Sequence, residues 1–237
     1  MTTPKDLLGH LSGGKVLDVA TGTGGFIQFL AEGLKDYATI TGIDTSERAA
    51  AAFAEAFKEQ SNVHFEQMDA ARMSFPDASF DTVCIANSLH HLSGLDAALA
   101  EMKRVLRPGG LFLVLEMVSD GQSETQQTHV ELHHWWGAVD RVKGIFHRET
   151  YTREQVDAFL GGLGLEDVVR HELSETEEDP HAAETVAELD GILDRYIQRA
   201  EGHPDLQARG EELRRRVHAI GFHSAASLLY VGRKKAL

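Results

Sequence analysis

The stretch Val16-Leu17-Asp18-Val19-Ala20-Thr21-Gly22-Thr23-Gly24-Gly25-Phe26 constrains this chain more than any other. An apolar run of strand length feeds a glycine-rich turn, and the turn opens a helical pattern. Glycine tolerates the left-handed backbone such a turn needs and lets a ligand approach the main chain closely. The amides at the start of the following helix favour negative charge. The same order then repeats. Strands are expected at residues 15–20, 38–43, 63–67, 80–86 and 111–116, with helices at 24–34, 46–59 and 94–106 between them. Strands alternating with helices of this length make parallel βα units rather than hairpins.

Beyond this half the pattern changes. Arg107-Pro108-Gly109-Gly110 reads as the end of a helix and the reversal into the next strand, because proline cannot continue the helix. Residues 118–148 form a polar segment rich in Gln, His and Trp, too long for an ordinary connection and expected to be helical. A helix at 151–160 carries Thr152 and Gln155 in a capping-box spacing, followed by Gly161-Gly162 and a strand at 165–171. An acidic helical stretch at 180–220 precedes the last strand, within 222–232 and centred on 225–232. The 237 residues thus read as one domain, with a ligand-binding core at 1–117 and helical lid insertions at 118–150 and 180–220.

Two acids give the glycine turn its character. The dinucleotide fingerprint wants a third small residue where this chain has Ile27, which counts against a nicotinamide oxidoreductase. Asp18, four residues before Gly22, sets a carboxylate below the loop, where it would repel a pyrophosphate but bind an ammonium. Gly42-Ile43-Asp44 ends the second strand with an acid about twenty residues after the turn, suited to ribose hydroxyls. The ligand these residues describe has an amine and a ribose and needs no phosphate.

At these residues the chain resembles the class I S-adenosylmethionine-dependent methyltransferases, in the group that includes the ubiquinone and menaquinone biosynthesis enzymes. The likeness runs from about residue 15 to 117 and includes Glu66-Gln67-Met68-Asp69-Ala70, Phe80-Asp81-Thr82-Val83-Cys84-Ile85-Ala86-Asn87 and Leu106-Arg107-Pro108-Gly109-Gly110. It implies a Rossmann-like, doubly wound α/β fold with a mostly parallel seven-stranded sheet, an antiparallel last strand and helical lid insertions. It implies S-adenosylmethionine as cofactor and S-adenosylhomocysteine as product. Asp18, Gly22 and Gly24, with Ala20, Thr23 and Phe26, would lie along the methionine part. Asp44 and Thr45 would meet the ribose, Asp69 and Ala70 the adenine, and Ala86 and Asn87 the methyl donor.

Methyl transfer from a sulfonium is an in-line displacement, so holding and aligning the acceptor away from water is the main requirement. The acceptor is expected to be a small molecule methylated on oxygen, carbon, sulfur or a small amine. Ala86-Asn87-Ser88-Leu89 lacks the polar-Pro-Pro-aromatic tetrad usual in enzymes that methylate amino groups of bases. His90, His91 and His133 are candidates for a base or for positioning, since imidazole titrates near neutrality. His91, Glu116, His129, His133, Trp136, Arg141 and His147 are candidate acceptor contacts, a mixture suited to an aromatic or anionic ligand. Of Trp135 and Trp136, one is expected to pack the lid and the other to face substrate. His129 and His133 share a helical face, but no third ligand is evident and no metal is expected.

A net charge of −14 argues against a nucleic-acid partner, and Arg214-Arg215-Arg216, set among Glu211 and Glu212, reads as a solvated helix face. The single cysteine, Cys84, sits in an apolar run and reads as a buried thiol, as in a reducing cytoplasm. Residues 1–10 are polar and hold Pro4, unlike a signal peptide, and no apolar stretch approaches a membrane span. A cytoplasmic enzyme without membrane insertion is therefore expected, and a homodimer is compatible with the sequence. The competing reading is a catalytically inactive S-adenosylmethionine-binding regulatory or scaffold protein, which would keep the same binding residues.

Overall fold

A computed structural model describes residues 8–174 and 176–236; most of the polar stretch at 1–10 lies outside these described residues. Seven strands form one sheet: β1 (Lys15–Val19), β2 (Thr39–Asp44), β3 (Val63–Gln67), β4 (Phe80–Ala86), β5 (Leu106–Met117), β6 (Glu166–Leu173) and β7 (Ser227–Arg233). Their order is β3-β2-β1-β4-β5-β7-β6. The pairs β1–β2, β1–β4, β2–β3 and β4–β5 are parallel, as the βα alternation requires. The last strand is antiparallel. Backbone bonds from Lys234 N–H to Gly110 and from Gly109 N–H to Lys234 stitch that end of the sheet.

The helices are α1 (Gly25–Gly33), α2 (Glu47–Ala56), α3 (Leu95–Val105), α4 (Glu124–Val142), α5 (Arg153–Gly162), α6 (Ala183–Arg199) and α7 (Pro204–Ile220). Local chemistry sets several of their starts. Ser46 caps α2 by accepting the Ala49 N–H at 3.2 Å. Ser123 and Gln126 form a reciprocal capping box on α4. Thr152 and Gln155 do the same before α5, with bonds of 2.9 and 3.3 Å, as their spacing predicts.

Three details differ from the sequence reading. Residues 107–110 are not a turn outside the sheet but the irregular opening of β5, with Gly109 at φ 72° and a register shift between Phe80 and Thr82. Gly110 leaves no space for a Cβ, which would sit 2.8 Å from the Asp81 carbonyl. Gly161 and Gly162 continue α5 instead of following it. The stretch at 180–220 is two helices, broken at Glu201-Gly202-His203, where Pro204 then takes the first position of α7 and needs no N–H there.

The described chain divides into two compact units. The first comprises residues up to Glu116, with Asp157–His171 and Leu228–Leu237; the second comprises Met117–Val156 and Glu172–Ser227. In the first, β1 and its neighbours are covered by α1 and α2, and Val16, Ile27, Leu30, Ile40 and Phe53 are buried together. Cys84 is fully buried there, as its apolar surroundings predict. In the second unit, α4, α6 and α7 bury Leu132, Trp135, Val139, Leu189, Leu193, Leu213 and Val217. The segments expected as separate insertions thus share one core. Gly210 of α7 faces the Trp135 ring so closely that a Cβ would lie 2.5 Å from it. The arginine run at 214–216 is a helix face among acids: Arg214 pairs with Asp190 at 3.0 Å and Asp194 at 2.6 Å.

Candidate active site

The strand order reverses between β1 and β4, and a crevice at such a switch point is where open α/β sheets bind ligands. The loop leaving β1 fills this position. Ala20, Gly22 and Gly24 adopt positive φ of 54°, 54° and 90°, so the main chain folds back on itself within five residues. Thr21 donates its N–H to the Ile43 carbonyl at 2.9 Å, and Gly22 donates to Asp44 Oδ2 at 3.0 Å. The other Asp44 oxygen accepts the Ser46 N–H at 2.9 Å. The end of β2 therefore holds the loop in shape.

The glycines divide by task. A Cβ on Gly22 or Gly25 would meet no protein atom within 4 Å; both line open space. A Cβ on Gly24 would collide with the Phe57 ring, so this glycine lets the loop seat on α2.

Two cavities adjoin at Ala20. One, of about 310 Å³, is lined by Ile43, Asp44, Thr45, Met68, Asp69 and Ala70, and on its far side by His91 to Gly94. The other, of about 520 Å³, is lined by Asp18, Thr21, Gly22, Thr23, Gly25, Phe26, Ala86, Asn87 and Ser88. Of the expected cofactor residues, only Gly24 lines neither. Met68, Ser88 and Leu92 are additional lining residues that sequence reasoning did not single out.

Asp18 is 1% exposed. Its carboxylate accepts the Thr21 hydroxyl at 2.6 Å, and the Cys84 thiol lies 3.5 Å away. Burial pushes the Asp18 carboxyl up to about 7; the Thr21 and Cys84 hydrogen bonds oppose this and the nearby Asp44 charge adds to it. Such a group stands ready to ionise when a cation arrives. The first cavity offers Asp44 beside the apolar walls of Ile43 and Ala70. Together the two suit a ligand with an ammonium at one end and a hydroxylated ring bearing a flat base at the other.

After β4 the chain makes a short 3₁₀ turn, Leu89–His91. His90 Nδ1 is 2.5 Å from Glu116 Oε1, and Glu116 Oε2 accepts the Leu89 N–H at 3.1 Å. Both side chains are almost wholly buried, and neither lines either of these two cavities. The acceptor contact expected at Glu116 thus meets a carboxylate already engaged in pinning this turn to β5. His91, its ring 4.3 Å from that of His90, lines the Asp44 cavity.

In the second unit, His129 Nδ1 accepts the Ala225 N–H at 2.9 Å, and burial holds the ring's pKa down at about 4. His133 packs against the rings of Trp136 and His147, at 5.9 and 4.9 Å between centroids. His147 Nδ1 is 2.7 Å from Asp140, which also pairs with Arg199 at 3.0 Å. Arg141 donates to the His147 carbonyl at 2.6 Å and lines a separate cavity with residues 202–206. Trp135 is the packing tryptophan, its N–H donated to the Leu206 carbonyl. The buried Trp136 N–H has no acceptor among the described residues.

A nucleoside-sized crevice under a glycine loop at the switch point defines a nucleotide- or nucleoside-cofactor enzyme. Comparison with known proteins narrows this class. Residues 16–110 match the family described as "Methyltransferase domain". A demethylmenaquinone methyltransferase of Staphylococcus haemolyticus is 38% identical over 176 residues, 64% of this chain and 74% of that protein. A ubiquinone/menaquinone biosynthesis C-methyltransferase UbiE of Shewanella halifaxensis is 37% identical over 111 residues, 46% of this chain and 44% of that protein. Against this second relative the chain therefore spans less than half of its length. Among solved structures, the [4+2]-cyclase SpnF matches with a TM-score of 0.65 and 25% identity, covering 98% of this chain and 80% of that one. The chain belongs to the class I S-adenosylmethionine-dependent methyltransferases, in the ubiquinone/menaquinone-biosynthesis-methyltransferase-like group. It is a transferase, and its cofactor is S-adenosylmethionine. The cyclase with the same fold is a reminder that architecture alone does not choose the acceptor.

Proposed function

We propose that this enzyme methylates a ring carbon of a small aromatic quinol. The observation that carries the reading is the 38% identity to a demethylmenaquinone methyltransferase, over a larger share of the chain than the methyltransferase domain at 16–110. Electronic demand adds to it. A sulfonium methyl is an electrophile, and a quinone ring is electron-poor, so the acceptor is the reduced, hydroxyl-bearing form.

The cradle fits the cofactor. Gly22 and Gly25 open onto the cavity where any side chain would intrude. Asp18, ionised, takes the ammonium of the methionine part; Asp44 accepts from the ribose hydroxyls while its Gly22 bond keeps the loop closed. Thr45, Asp69 and Ala70, with Met68, enclose the base. Thr23, Phe26, Ala86 and Asn87 flank the methionine part, Ala20 joins the two cavities, and Gly24 acts through packing. Bound there, the cofactor would supply an electrophilic methyl group with a thioether as its leaving group.

The chain's own residues then orient and exclude water. The His90–Glu116 pair is a positioning device that fixes the turn after β4. His91 serves the cofactor side. On the second unit, Trp136 and His133 are the proposed acceptor contacts, with the indole N–H as a donor to a quinol oxygen. His129 and Arg141 are less suited, being committed to Ala225 and to the His147 carbonyl. The ring proton displaced by the methyl passes to an imidazole on the acceptor side, for which His133 is the candidate. Incubating the purified protein with labelled S-adenosylmethionine and a short-chain demethylated quinol under reducing conditions tests this reading. A C-methylated product by mass spectrometry is expected; label only on oxygen, or turnover only with unrelated acceptors, would overturn it.

A further inference from the structure

Five large apolar side chains are conspicuously exposed among the described residues, and three of them fall within five positions: Val142 at 43%, Ile145 at 47% and Phe146 at 46%. They sit at the tip where α4 ends. This tip is built rather than loose. Ile145 donates its N–H to the Asp140 carbonyl at 3.0 Å, and Gly144, at φ 78°, donates to Arg141 at 3.0 Å. That pair of bonds is a Schellman motif, whose residue after the glycine ordinarily folds back on the helix. Here that residue is Ile145, and it stays half in solvent beside Phe146. Burying either would stabilise the chain, so leaving both outside on a rigid turn calls for an external apolar phase.

The charge around the tip names that phase. Lys143 and Arg148 flank the apolar residues and form no ion pair with a carboxylate among the described residues; Arg148 lies over the Tyr151 ring at 5.1 Å, and Arg141 donates to the His147 carbonyl. The acid inside the helix end, Asp140, is already taken by His147 and Arg199. Glu149 opposes the cations within this segment, and Asp205 faces Arg141 and Val142 across the cavity they line, leaving Lys143 and Arg148 as the cations nearest the apolar pair. In a chain of net charge −14, a locally cationic tip crowned by isoleucine and phenylalanine is complementary to anionic headgroups over acyl chains.

We propose that the 142–146 tip docks this enzyme peripherally on an anionic lipid bilayer, with Ile145 and Phe146 entering the headgroup–acyl boundary and Lys143 and Arg148 meeting the phosphates. This departs from the sequence expectation of an enzyme without membrane insertion; no helix among the described residues is long and apolar enough to cross a membrane. It does not rest on the quinol reading and is tested without any acceptor.

The test is co-sedimentation of the full chain with vesicles of phosphatidylglycerol and phosphatidylcholine in equal parts, against vesicles of phosphatidylcholine alone, at low and raised salt. The wild type is expected on the anionic vesicles, with retention falling as salt screens the headgroups. The double variant Ile145→Ser/Phe146→Ser is expected to bind about ten-fold more weakly or worse, and Lys143→Gln about five-fold more weakly. Unchanged circular dichroism and unchanged S-adenosylmethionine affinity by calorimetry establish that the variants are folded. Absence of wild-type retention on anionic vesicles overturns the proposal, as does equal retention of the double variant. Lipid-free self-association abolished by Ile145→Ser/Phe146→Ser also overturns it, by assigning the tip to contact between copies.

Discussion

Asp44 Oδ2 accepts the amide N–H of Gly22 at 3.0 Å, so the acid proposed to hold the ribose also tethers the loop beside it. One side chain thus shapes the cradle and contributes to its contents. Asp44→Ala is expected to weaken S-adenosylmethionine binding by more than ten-fold, since a hydrogen bond to a charged group contributes roughly 1.5–3 kcal/mol and the loop loses its tether as well. Asp44→Asn, which keeps an acceptor oxygen, should lose less. Calorimetric titration of the two variants checks this; equal affinity in wild type and Asp44→Ala would remove Asp44 from the site.

Asp18 predicts a pH dependence whose sign is opposite to the usual carboxylate. Its folded pKa is raised, to about 7 from 3.8, so ionisation costs the empty protein stability. That stability is present in full below about 3.8 and is lost as pH rises toward 7, above which it changes no further. Asp18→Asn should therefore stabilise the ligand-free protein at pH 8, by up to roughly 4 kcal/mol. Cofactor affinity runs the other way, because only the carboxylate holds an ammonium. Binding should weaken on acidification below about pH 7 in the wild type and lose this dependence in Asp18→Asn. Denaturant melts and calorimetry across this range measure both.

The buried His90–Glu116 pair predicts a sharp contrast between two substitutions. Glu116→Ala leaves His90 Nδ1 and the Leu89 amide without their acceptor and should destabilise the fold by roughly 3–5 kcal/mol. Glu116→Gln retains one acceptor and should lose clearly less. Urea unfolding separates them, and similar midpoints would mean that the pair does not pin the turn.

His91 lines the cavity with Asp44, and His90 lines neither cavity. His91→Ala is accordingly expected to raise KM for S-adenosylmethionine by several-fold with kcat little changed. A collapse of kcat at unchanged KM would instead make His91 the base.

Gly210→Ala should destabilise the second unit by about 1–3 kcal/mol, because its Cβ would press on the Trp135 and Ile197 side chains. Thermal unfolding with intrinsic tryptophan fluorescence reports on the site directly, and an unaltered transition would mean the helices can separate at no cost.

What the sequence determined by itself was everything carried by short-range rules. Apolar runs of strand length, alternating with helical spacing, set β1 to β5 and their parallel pairing. The glycines after Val19 and the acid at Asp44 marked the crevice, because a left-handed turn and a strand-end carboxylate are properties of neighbouring residues. Thr152 and Gln155 announced their capping box for the same reason. Tertiary structure alone decided what depends on residues distant in the chain. It drew Gly109 and Gly110 into the sheet beside Lys234, a register no local pattern encodes. It joined 118–148 and 180–220 into one helical core through Trp135 and Gly210. It paired Glu116 with His90, twenty-six residues away. It also left Ile145 and Phe146 outside, since burial is settled by what the rest of the chain packs against and not by how apolar a residue is.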